Sequence, residues 1–128
     1  MAAPVGKVVW IGRGLSVLSS LAFLLSSVMK MKGGPEVLQG FGHLGLRESM
    51  MLPLAILELS CVVVYLVPPT AVLGAVLLTG YIGGAILAHW RVGDPFLPQI
   101  VLGLMVWLGL YLREGRLRGI LPLRTSLK

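Results

Sequence analysis

From Val8 to Met29 the chain runs for 22 residues with one charged side chain, Arg13, and three further stretches repeat the theme: Met50–Val67, Ala71–Trp90 and Pro95–Leu112. At 1.5 Å of rise per residue, the first run spans roughly 33 Å and the last, of 18 residues, roughly 27 Å. A bilayer hydrocarbon core is about 30 Å thick, so each run is long enough to cross it as a helix. Helices are the form in which a single segment satisfies all its own backbone hydrogen bonds in lipid. The expectation is an all-α, integral membrane four-helix bundle, built as one domain over residues 1–128, with spans at about 8–29, 50–67, 71–90 and 95–112.

Composition excludes the alternatives. Only 12% of residues are charged against 56% apolar, and a soluble domain usually carries about 25% charged residues. The net charge of +6 does not indicate a nucleic-acid partner, because the basic residues flank apolar runs and form no patch. The one cysteine, Cys61, lies inside an apolar run; it has no disulfide partner within the chain and reads as a buried small hydrophobe. The first run ends in Val28-Met29-Lys30 without a small-residue cleavage site, unlike a signal peptide.

The connections carry turn and cap signals. Pro35 fits the first position of a short helix in the Lys30–Ser49 link. Such a helix would put Val37, Leu38, Phe41 and Leu44 on one face, with Glu36 and His43 away from it, a pattern that suits the membrane interface. Ser49 and Thr70 are expected to cap the second and third runs, and Asp94-Pro95 to open the fourth. Pro68-Pro69 leaves so short a link that the second and third spans form an antiparallel hairpin.

Four spans put both termini on one side. That side holds Lys7, Arg113, Arg116, Arg118, Arg124 and Lys128, against Lys30, Lys32, Arg47 and Arg91 opposite. The excess of basic residues predicts both termini in the cytoplasm and a place in the cell membrane, with the lipid bilayer as the first partner. Arg13 adds to the same side by snorkelling. Trp10, Trp90 and Tyr111 fall near span ends, as interfacial aromatics do.

Close helix contact in lipid relies on small residues. The third run offers Ala71, Ala75, Thr79 and Gly83 at four-residue spacing, and Gly80, Gly84 and Ala88 beside them; the first offers Ser16 and Ser20, then Ala22 and Ser26. Gly80, Gly83 and Gly84 are therefore expected at helix contacts within the bundle, with homodimerisation through one of these rows as the alternative.

Glu58 carries the chemistry. It sits mid-span, where an unpaired carboxylate costs several kcal/mol, on the order of 3 on insertion scales. Antiparallel topology brings Lys30, with Ser26 and Ser27 one turn deeper, toward it from the first run. Tyr81, Thr79 and His89 approach from the third. These seven residues are the expected lining of a pocket open at the loop end. His43 and His89 make a poor haem pair, since one falls in a loop, and no cluster suggests a metal.

The order and spacing of further segments resemble the DoxX-like family of small membrane proteins. They are Ser26-Ser27-Val28-Met29-Lys30, Pro35-Glu36, Phe41-Gly42-His43-Leu44-Gly45, Ala55-Ile56-Leu57-Glu58-Leu59, Leu77-Leu78-Thr79-Gly80-Tyr81-Ile82-Gly83-Gly84-Ala85, and Trp107-Leu108-Gly109-Leu110-Tyr111. The resemblance implies a four-helix membrane fold and a link to sulfur and quinone redox chemistry. The expected role is binding of a small polar or quinone-like molecule around Glu58, with quinone as the one cofactor considered. The alternatives are a subunit working with a membrane redox partner, and a small transporter or proton-linked channel; the chain contains no inverted repeat that would favour the last.

Overall fold

The computed structural model describes residues 6–122. Five α-helices carry the fold: α1 (Lys7–Lys32), α2 (Pro35–His43), α3 (Met51–Leu66), α4 (Ala71–Arg91) and α5 (Leu97–Arg113). Short 3-10 turns precede α3 and α4 and follow α5. Three segments, Lys7–Lys32, Glu48–Leu66 and Pro68–Arg91, are long and apolar enough to cross a membrane. The 17-residue α5 is a shorter apolar helix, rising roughly 26 Å.

The four long helices form an up-down-up-down ring. α1 lies between α5 and α3, and α4 closes the ring by packing on α3 and α5. One end of the bundle carries the N-terminus of α1, the α3–α4 hairpin and the tail after α5. The other, the loop end, carries α2 and the α4–α5 turn. Outside the ring, Leu18, Leu25, Leu52, Leu73, Leu87 and Leu104 are exposed. A continuous apolar coat of this kind belongs in lipid, not water. Cys61 is buried in the core with Val62, Tyr65, Leu78, Val106 and Leu110.

The helix contacts are made by small residues, but not by the glycines singled out above. A Cβ at Gly12 would lie 2.6 Å from the Gly109 carbonyl oxygen, so α1 and α5 cross backbone to backbone. A Cβ at Gly74 would lie 2.3 Å from the Tyr65 Cα, which sets the closeness of the α3–α4 hairpin. At Gly80, Gly83 and Gly84 an added Cβ would meet nothing within 4 Å. The expectation that these three mediate packing inside the bundle is overturned. The buried side of α4 is the one bearing Ala71, Ala75, Leu78 and Ile82, and at 100° per residue Gly80 falls nearly opposite it.

The caps differ as well. Neither Ser49 nor Thr70 caps a helix with its side chain; the Thr70 hydroxyl donates backward to the Val64 carbonyl at 2.8 Å. α5 begins at Leu97 with Pro98 in its first turn, and Asp94 is drawn away to His43. By contrast, Pro35 does begin α2, with Phe41 buried and Glu36 and His43 exposed. Arg124 and Lys128, two of the basic residues used for orientation, lie outside the described residues.

Candidate functional site

Glu58 falls on the inner side of α3 with Met51, Ala55 and Val62, spaced three and four residues apart. Its side chain is 2% exposed. Lys30, in the last turn of α1, reaches down so that Nζ lies 3.1 Å from Glu58 Oε1. The long aliphatic stem lets that ammonium sit inside while its Cα stays near the helix end. Ser27 donates to the same carboxylate oxygen at 3.1 Å and to the Phe23 carbonyl at 3.0 Å, sharing one hydroxyl hydrogen between them. Lys30 also donates to Ser26 Oγ at 2.5 Å and lies 6.0 Å from the centre of the Tyr81 ring. A mid-span carboxylate thus has the compensation that lipid demands.

This cluster forms the polar wall of a cavity of about 480 Å³. Phe23, Leu54, Leu57, Ile82 and Leu102 supply apolar walls, and Gly80 and Gly84 line it without side chains. Phe41, Leu44 and Leu46 close it at the loop end. That cover is fastened to the α4–α5 region: His43 Nε2 lies 2.9 Å from Asp94 Oδ1, and Arg91 donates to the Leu44 carbonyl. Gly45, at φ +74°, is in the left-handed region and faces the Arg91 guanidinium, where a Cβ would crowd it at 2.9 Å.

Of the seven expected lining residues, Ser26, Lys30, Glu58, Tyr81 and His89 line the cavity. Ser27 stands behind the carboxylate instead. Thr79 is elsewhere: it donates to the Ala75 carbonyl at 2.7 Å and accepts from Trp107 Nε1 at 2.6 Å, facing α5. His89 holds the Ala85 carbonyl through Nδ1 at 2.7 Å. A carbonyl only accepts, so Nδ1 carries the hydrogen and Nε2 is the acceptor of the neutral ring. Gln99 was missed. It lines the cavity from α5, and its Oε1 is buried with no hydrogen-bond partner among the described residues. The signal was present as the lone amide in the fourth apolar run.

A second polar group sits toward the terminus end. Tyr65 donates to the Val106 carbonyl at 2.7 Å and lies 2.9 Å from Ser16 Oγ. Arg113 stacks on the Tyr65 ring at 4.9 Å and donates to its carbonyl at 3.1 Å. These contacts tie α1, α3 and α5 together. Among the described residues no group of His, Cys, Asp and Glu is placed to hold a metal ion.

Residues 14–111 match the model of the DoxX-like family. Neither a curated protein nor a solved structure matches the chain.

Proposed function

The chain belongs to the DoxX-like family, and from that premise we propose that it binds a small, largely apolar molecule with a polar or quinone-like head in the cavity around Glu58. One observation carries this reading: the Lys30–Glu58 ion pair, with Glu58 fully buried, faces into a largely apolar cavity of about 480 Å³. Small-molecule sites commonly enclose about 300–1,000 Å³ and place a few polar groups in apolar walls. Here the polar groups are complementary in kind. Lys30 donates to a carbonyl or quinone oxygen, while Glu58, His89 and Gln99 accept from a hydroxyl.

An ion pair that served only to hold α1 against α3 would need no adjoining space. A ligand that takes up the unused donors and acceptors makes use of that space. Two measurements test the proposal. Small molecules extracted from protein purified in mild detergent are identified by mass spectrometry. The emptied protein is then titrated with decylubiquinone. Saturable binding is expected, weakened tenfold or more in Glu58→Gln, since a hydrogen bond to a charged group contributes about 1.5–3 kcal/mol. Binding that is absent in wild type, or unchanged in Glu58→Gln, refutes the reading.

A further inference from the structure

We propose that the cavity opens sideways into the bilayer between α3 and α4, and that its ligand is a membrane-dissolved amphiphile whose apolar chain leaves through this cleft. The inference rests on the binding reading above and specifies where that ligand comes from and its shape.

Both ends of the bundle are blocked, which leaves a route through its side. The loop end is covered by Phe41, Leu44 and Leu46, and this cover is pinned twice, through His43 to Asp94 and through Arg91 to the Leu44 carbonyl. Toward the terminus end, α1 meets α5 backbone to backbone at Gly12 and Gly109, and Tyr65 fills the centre with no exposure.

The shape of the α3–α4 pair provides that route. These helices are tightest at their hairpin, where Gly74 abuts the Tyr65 backbone. About two turns further along α4, Gly80 and Gly84 have nothing within 4 Å of an added Cβ, although both line the cavity. Their position on α4 turns from the buried stripe toward the outside. Across from them Leu57 of α3 lines the same cavity and is 50% exposed. A helix pair pinched at one end, with α4 offering only glycine at Gly80 and Gly84 further along, leaves a slot, and that slot lies at membrane depth. The Lys30–Glu58 pair at its inner end takes the polar head, and the slot takes the chain.

The experiment compares a chain-bearing probe with its chainless head. Wild type, Gly80→Leu, Gly84→Leu and Ala22→Leu are reconstituted in nanodiscs and titrated with decylubiquinone and with ubiquinone-0. Thermal stability and oligomeric state are measured alongside. Ala22 is the comparison, an exposed small residue on the α1 wall of the same cavity, away from the α3–α4 cleft. The expected result is that both glycine variants melt as wild type does and lose tenfold or more in decylubiquinone affinity. They should change ubiquinone-0 binding less than threefold, while Ala22→Leu, which does not border the slot, should shift both probes by a similar factor.

Equal loss of both probes overturns the slot, because the glycines then only bound the head site. A selective effect in Ala22→Leu alone moves the opening to the α1 side and also overturns it. Dissociation of a wild-type dimer by Gly84→Leu overturns it in favour of a second copy packed on these glycines. Wild type that binds neither probe defeats the underlying binding reading, an outcome distinct from all three.

Discussion

Lys30 Nζ and Glu58 Oε1 lie 3.1 Å apart although the residues are 28 positions apart in sequence. The pair joins α1 to α3 at the cavity wall, with Glu58 2% and Lys30 15% exposed. Removing one partner of a buried pair strands the other charge, which costs about 3–5 kcal/mol, whereas replacing both with apolar groups is often near neutral. Glu58→Leu should therefore lower the melting temperature in detergent clearly. Lys30→Met alone should do so as well, and the double variant should recover most of the loss. If the single losses simply add in the double variant, the two residues are not coupled and the ion pair contributes nothing.

Gly12, Gly109 and Gly74 hold the helix crossings. Gly12→Leu, Gly109→Leu and Gly74→Ala should each destabilise the bundle, by about 1–3 kcal/mol or more for the overpacking. Gly83→Ala should leave stability unchanged or raise it slightly, because its added methyl meets nothing and alanine favours helix. Melting curves of the four variants decide it, and wild-type stability in Gly12→Leu would contradict the backbone contact.

Tyr65 is fully buried with its hydroxyl bonded to Val106 and Ser16. Tyr65→Phe removes that hydroxyl and leaves Ser16 Oγ short of a partner. A loss of about 1–3 kcal/mol is expected. Ser16→Ala combined with Tyr65→Phe should cost less than the sum of the two, as groups in one network do. Strict additivity would indicate two independent sites.

The cover over the loop end depends on His43–Asp94 and on Arg91 to Leu44. Asp94→Ala with Arg91→Ala should release it. In detergent-purified protein, trypsin should then cut after Arg47 several times faster, with little change in melting. Unaltered cleavage would mean that the cover is held by Phe41 alone.

Orientation rests on the basic residues. The predicted arrangement puts both termini in the cytoplasm and the loop end outside. With Cys61 replaced by alanine, a cysteine at Gly34 should react with an impermeant maleimide on intact cells. A cysteine at Gly115 should react only after permeabilisation, and the reverse pattern inverts the topology.

The apolar runs determined by themselves that this chain is a bundle of membrane helices, since no other local structure satisfies twenty backbone groups in lipid. Glu58 was legible for the same reason: an ionisable group at mid-span must have a partner, and antiparallel order brings the end of the first run to it. Five of the seven residues expected around it share its cavity because they lie on elements whose ends that order brings together.

What the sequence left open was the rotation of each helix about its axis. Four-residue spacing identifies a smooth row but not its neighbour, and α4 carries rows on more than one side. The tertiary structure turned Ala71, Gly74 and Ala75 inward, where Gly74 fits against Tyr65. That rotation carries Gly80, Gly83 and Gly84 outward and sends Thr79 to Trp107. The rotation of α5, whose Gly109 meets Gly12 of α1, puts Gln99 at the cavity. Rotation is decided by which pair of surfaces fits most closely, a property of two helices together that neither run contains alone.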